Sequence, residues 1–284
     1  MTSRLLRPLA AFAAVGACAA IAACTLTTSL SGLIGPPENL PTDAGVDSPT
    51  LVGASDAGDG GDGLAVLPYC ATLVPAPAFC DDFERTEPKG AWSKLSVSGG
   101  GAVTTEPSTR GAGRELRTVI PVFGGGGFSA AKLEVASLDV ADEVTVSYAL
   151  RIEAAPEQNQ QQIMAVTVRA LQPSTDVFAL YLFVRQGGIS LVEHMFPTSP
   201  PNKFIEHALL EPISFGAWHR IEMTATLSAP PHLRLRVDGK LAFDGAADPF
   251  FRRGQPTLNA GVHYTDSPSG PLALRIDDVA VTLK

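Results

Sequence analysis

From about Val66 to Lys284 the chain alternates between apolar and polar positions. Val144, Val146, Tyr148, Leu150 and Ile152 are apolar at every second position with Thr145, Ser147 and Arg151 between them, the pattern of a strand with one buried face. Phe178, Leu180, Leu182 and Val184 repeat it, as do Ile221, Met223, Ala225 and Leu227. Leu233, Leu235 and Val237 run into Asp238-Gly239, and the alternation resumes at Leu241 and Phe243. Two residues of this kind between alternating runs predict a hairpin, because a type I′ turn needs positive φ at both central positions. Toward the end, Leu272, Leu274 and Ile276 give way to Val279, Val281 and Leu283. That change of parity at Asp277-Asp278 predicts a β-bulge. Outside the first 23 residues no window of ten or more keeps a helical period. Short strands with Gly and Pro turns and no helices predict a sandwich or a barrel.

The start of the chain obeys different rules. Met1 to Pro8 carries Arg4 and Arg7 and no acid, and Leu9 to Ala23 is an unbroken run of 15 small and apolar residues. Such a run is shorter than the roughly 20 residues a membrane-spanning helix needs, and a basic start before it predicts a secretory signal peptide over residues 1–23. Its end, Ile21-Ala22-Ala23-Cys24, resembles the lipobox of bacterial lipoproteins. That resemblance implies cleavage before Cys24, acylation of its thiol, and a lipid anchor in the cell envelope, at the outer membrane. From Thr25 to Val66 the composition turns to Thr, Ser, Gly, Pro, Asp and Ala, with Glu38, Asp43, Asp47, Asp56, Asp59 and Asp62 and no Lys or Arg. This stretch buries too little apolar surface to offset its ordering entropy, and like charges extend it, so 24–66 is predicted to be a disordered acidic linker. The acids at 56, 59 and 62 fall every third residue among glycines and lack the order of a calcium loop. Two cysteines follow, Cys70 and Cys80. Export places them in an oxidising compartment, which predicts a disulfide between them at the entrance to the folded domain.

Composition narrows the function classes. With 45% hydrophobic residues among 284, the chain buries a core, and a formal net charge of -8 without a run of Lys or Arg offers nothing for phosphates to meet. Nucleic acid is therefore excluded as an expected partner. The five histidines, at 194, 207, 219, 232 and 263, show no metal-binding spacing, and two thiols without a nearby His do not complete a zinc site. No cofactor or metal is expected, and a structural calcium is left open.

Trp218-His219-Arg220-Ile221-Glu222-Met223, followed by Leu233-Arg234-Leu235-Arg236-Val237-Asp238-Gly239-Lys240-Leu241, is similar to a hairpin of laminin-G-like domains in the concanavalin-A-like superfamily. Cys80-Asp81-Asp82-Phe83-Glu84 and Leu274-Arg275-Ile276-Asp277-Asp278-Val279 look like the opening and closing strands of bacterial members. The resemblance implies one all-β domain over 67–284, an antiparallel jelly-roll β-sandwich. It says little about function, because one fold hosts lectins, hydrolases, lyases and adhesion modules. Jelly-roll glucanases carry E-x-D-x-x-E, which is absent here. Jelly-roll alginate lyases pair R-x-E-L-R with Q-I-H and K-A-G-x-Y. This chain has Gly113-Arg114-Glu115-Leu116-Arg117, Gln162-Ile163-Met164 and Asn259-Ala260-Gly261-Val262-His263-Tyr264. Met164 stands where that pattern has its base, and a thioether accepts no proton at neutral pH. These departures favour binding over catalysis.

A binding face follows from the alternation. If 144–152 and 178–184 send their even residues into the core, their odd residues gather Arg151, Tyr181, Phe183 and Arg185 on the opposite face, joined by Arg169. Rings that cover sugar C–H faces beside Arg donors suit carbohydrate recognition. The competing reading has Tyr181 and Phe183 covered by the segment from Phe196 to Phe204 and packed as core, with the functional surface around His194 and Tyr264. The candidate ligand-binding set is thus Arg151, Arg169, Tyr181, Arg185, His194 and Tyr264. The expected function is that of a membrane-anchored extracytoplasmic module for a carbohydrate or another envelope polymer; the alternative is a polysaccharide-degrading enzyme.

Overall fold

The computed structural model describes residues 68–122, 128–136, 138–155, 161–171, 176–185, 188–197, 202–266 and 270–284. The predicted signal peptide, Cys24, the acidic linker and the four glycines at 124–127 lie outside them. A short helix, α1 (Tyr69–Thr72), precedes the strands β1 (Phe79–Asp81), β2 (Lys94–Ser98), β3 (Ala102–Pro107), β4 (Arg114–Ile120) and β5 (Phe128–Val135). Then come β6 (Glu143–Ala154), β7 (Gln161–Ala170), β8 (Val177–Arg185), β9 (Gly188–Phe196) and β10 (Lys203–Ala208). The last five are β11 (Trp218–Thr226), β12 (His232–Val237), β13 (Lys240–Ala246), β14 (Gly254–Asp266) and β15 (Leu272–Leu283).

All pairings are antiparallel, and they form two sheets. The first runs β13-β12-β11-β6-β15-β4-β3, with β1 also on β15; the second runs β10-β9-β8-β7-β14-β5-β2. The period-two pattern explains how they close. Even residues of β6 and β8, from Val144 to Ile152 and from Phe178 to Val184, enter one core together with Phe83 and Trp92. The architecture is the antiparallel jelly-roll sandwich that the sequence implies.

Local signals in the sequence land where they were read. Asp238 and Gly239 take φ of 52° and 78°, and Val237 pairs with Lys240 across the turn. Asp278 takes φ of 53° where the register of β15 against β6 slips between Asp277 and Ala280. Cys70 and Cys80 are bonded, with Cα atoms 5.8 Å apart, which ties α1 to β1. Just after the bridge, the buried Asp81 carboxylate accepts from the Phe83 amide (2.8 Å), both Arg85 Nη atoms (2.6 and 2.5 Å) and Trp92 Nε1 (2.5 Å). One acid thereby organises the whole opening segment.

The outer face of the first sheet is occupied by its own ions. Arg275 reaches Glu115 (2.5 Å), Glu153 (2.5 Å) and Glu106 (3.0 Å), and Arg117 shares Glu153 and Glu106. The loop at 108–113 lies over this web. Thr109 Oγ1 receives Trp218 Nε1 and Arg151, and Arg110 stacks 5.4 Å above the Trp218 ring while pairing with Asp277 and Asp278. Burial, with the Asp278 charge beside it, pushes the Asp277 carboxyl up to about 7.

Candidate functional site

The outer face of the second sheet is built differently. Two irregularities shape it: Met164 on β7 takes φ of 51° and Gly261 on β14 takes φ of 112°. A Cβ at Gly261 would stand 2.5 Å from the Ala131 carbonyl oxygen, so glycine is required there. The Gly261 amide donates to Met164 Sδ (3.4 Å), and the register of β14 shifts twice between Asn259 and Tyr264. Bulges of this kind re-aim side chains. Here they bring both His263 and Tyr264 to one cavity.

That cavity holds about 550 Å³ and is lined by Ser96 and Ser98 of β2, Phe128 and Lys132 of β5, Gln162 of β7, His263 and Tyr264 of β14, and His194 and Phe196 of β9. Four strands separate β9 from β2 in the sheet, so side chains from both meet in one cavity only because the sheet is concave on this side. Phe128 and Tyr264 stack at 6.0 Å with 17° between their planes, on the rim. Phe196 lies 3.8 Å from His194 on the opposite wall.

Among the described residues, three basic groups and no carboxylate line the cavity. Lys132 Nζ donates to His263 Nδ1 at 2.9 Å, which leaves the imidazole proton on Nε2. Burial, then the charge of Lys132 and the neighbouring His194, holds His263 down to about 3. Burial also lowers Lys132, opposed by Glu134, and lowers His194. Burial thus disfavours the charged form of all three basic groups. An anion entering the groove would raise all three pKa values, because an opposite charge within a few ångströms favours the protonated form.

The structure separates the six predicted site residues. His194 and Tyr264 line the groove. Tyr181 does not: it is fully buried among Ala165, Ala179, Phe183 and Val192, its hydroxyl meeting His194 Nδ1 at 3.3 Å while Phe204 packs on Phe183 at 5.6 Å. The covered reading of Tyr181 and Phe183 is the one realised. Arg185 lies on the same face but pairs with Glu206 at 2.6 Å. Arg169 is exposed on β7, outside the groove lining. Arg151 is a correction: β6 belongs to the first sheet and β8 to the second, so Arg151 points away from Tyr181 and Arg185 and contacts Thr109 instead. Alternation assigns faces within a strand; it does not say which sheet a strand joins.

The same limit undoes the alignment with the lyase pattern. Arg114 to Arg117 sits on β4 in the first sheet, whereas Gln162 and Tyr264 sit on β7 and β14 in the second. Met164 is fully buried in its bulge. Beside His194, the basic groups that reach the groove are Lys132 and His263, and sequence reasoning missed both as site residues. Lys132 alternates with Glu134 outside a strand core, as surface residues do, and His263 stands one position from where a regular strand would aim it.

Neither a protein-family model nor a curated protein matches this sequence. Solved structures do match in fold. An endo-β-1,4-glucuronan lyase from the fungus Trichoderma reesei superposes with a TM-score of 0.58 at 13% identity, over 73% of this chain and 96% of that one. The carbohydrate recognition domain of Emp47p gives 0.49 at 15% identity, over 72% and 94%. The alginate lyase Aly36B gives 0.48 at 10% identity, over 72% and 97%. The structural neighbours are jelly-roll sandwich proteins of the concanavalin-A-like kind.

Proposed function

We propose that this chain is an exported, lipid-anchored polysaccharide-binding protein whose ligand lies in the concave groove of the second sheet. The observation that carries the reading is the lining itself: an exposed Phe128–Tyr264 stack beside Lys132, His194 and His263, with no carboxylate among the described residues. Rings of this kind cover the C–H faces of sugars, and basic donors without competing acids select sugars that bear carboxylates. The glucuronan lyase among the fold neighbours supports a carbohydrate ligand. The laminin-G-like hairpin fits a binding module. Retardation on polyglucuronate and alginate affinity gels, against a neutral glucan, tests the reading. Lys132→Ala should weaken binding to the acidic polymers at least tenfold, about 1.4 kcal/mol, with little change on the neutral one. Unaltered retardation of the variant would place the ligand elsewhere.

One observation favours a second reading, a polysaccharide lyase: an uncharged imidazole at His263 shares the groove with Tyr264, and it would serve as the base that Met164 cannot be once Lys132 turns from its Nδ1 to the substrate carboxylate. New unsaturated ends absorbing in the ultraviolet on either polymer, abolished by His263→Ala, would convert the binding module into an enzyme. The anchor has its own test. The expressed protein should partition into detergent and the Cys24→Ser variant into the aqueous phase; equal partitioning of both into water would remove the lipid from the proposal.

A further inference from the structure

The concave face holds a second cavity, of about 440 Å³, at the end of the β8–β9 hairpin and against β10. Its polar lining consists of Arg185, Ser190 and Glu206; Leu209, Pro212 and Ile213 give it an apolar wall. Ser190 is buried, 5% exposed, and its Oγ has no hydrogen-bond partner among the described residues. A buried hydroxyl without a partner is uncommon, because desolvating it brings nothing in return. Beside it Arg185 and Glu206 are locked together at 2.6 Å, with the guanidinium about half exposed.

We propose that this cavity is a subsite for an uncharged pyranose presenting vicinal hydroxyls. A fixed carboxylate beside a guanidinium offers an acceptor and a donor side by side, which matches two adjacent hydroxyls; the Ser190 hydroxyl, buried and unpartnered, would gain a third contact by rotating toward the ligand, and the apolar wall meets the ring's C–H face. The inference rests on the reading of this face as a glycan-binding surface and adds to it a second, neutral sugar position. Ser190 and His194 lie on the same face of β9 four residues apart, roughly 13 Å at the rise of an extended strand. A single oligosaccharide covers that span, passing over the exposed Phe204, which packs on the buried Phe183. The polymer predicted is thus mixed: an acidic residue at Lys132 and His263, and a neutral one a short distance along the chain.

Amide shifts of the ¹⁵N-labelled full chain carrying Cys24→Ser test this, with the methyl β-glycosides of glucose, galactose and mannose as neutral probes and sodium glucuronate as the acidic one. At least one neutral glycoside should move the resonances of 188–191 and 205–209, and Glu206→Gln and Ser190→Ala should each weaken that response several-fold. Glucuronate should instead move residues around Lys132 and His263. If none of the three glycosides shifts the 188–191 amides, or if both variants respond as the parent does, the subsite is overturned. Silence of glucuronate at Lys132 and His263, with the glycoside response intact, would defeat the groove reading alone and leave the second cavity supported.

Discussion

Tyr181→Ala should lower the stability of the domain by about 3–5 kcal/mol, the cost of truncating a large buried aromatic. For a domain of this size that corresponds to a fall of roughly 6–20 °C in the melting temperature. The ring is fully buried, and it fills space between Ala165, Ala179 and Val192 with Phe183 edge-on at 6.0 Å. Tyr181→Phe separates packing from hydrogen bonding, because it keeps the ring and removes only the contact with His194; its cost should be about 1 kcal/mol. Thermal unfolding followed by circular dichroism reads both. A melting temperature unchanged in the alanine variant, with glycan binding lost, would make the ring a stacking platform after all.

Asp81→Ala should cost a similar amount, about 3–5 kcal/mol, the range for removing one partner of a buried ion pair. Its carboxylate collects the Trp92 indole, the Phe83 amide and both arms of Arg85. Removal leaves the Trp92 and Phe83 donors buried without an acceptor, while Arg85, about a third exposed, recovers part of its hydration. Asp81→Asn should fall between parent and alanine, since an amide oxygen still accepts but its nitrogen faces other donors. Urea unfolding gives the comparison. A loss under about 1 kcal/mol for the alanine variant would show that solvent reaches the site when the carboxylate leaves.

Much of the sandwich was legible because its signals are local. The Asp238-Gly239 turn is a matter of backbone sterics at two residues, and the bulge at Asp277-Asp278 shows as a parity change within one strand. The Cys70–Cys80 bridge needed only proximity in sequence and an oxidising compartment. The candidate site was less legible because it depends on which strands become neighbours. Arg151 and Tyr181 obey the same alternation yet face opposite sides of the molecule, since β6 and β8 belong to different sheets. Lys132 and His194 meet around one cavity from strands with three others between them in the sheet, a convergence set by sheet curvature. His263 enters the groove through two irregularities, at Met164 and Gly261, and the left-handed backbone of a methionine leaves no mark in an alternation pattern.

The disulfide also determines how the domain would bear load. Consider a chain held at its N-terminal end while a polymer pulls on the concave face. Tension reaching Cys70 crosses directly to Cys80 through the covalent bond, so residues 71–79, including α1's last turn, carry none of it. Cys80 pairs with Ala280 of β15, where β15 is flanked by β6 on one side and by β1 itself on the other, because β4 pairs only with Leu272 to Ile276. Force therefore enters through β1, a three-residue strand held by β15 alone. An edge strand in that position is peeled away one hydrogen bond at a time, so the domain would yield first at its own entrance.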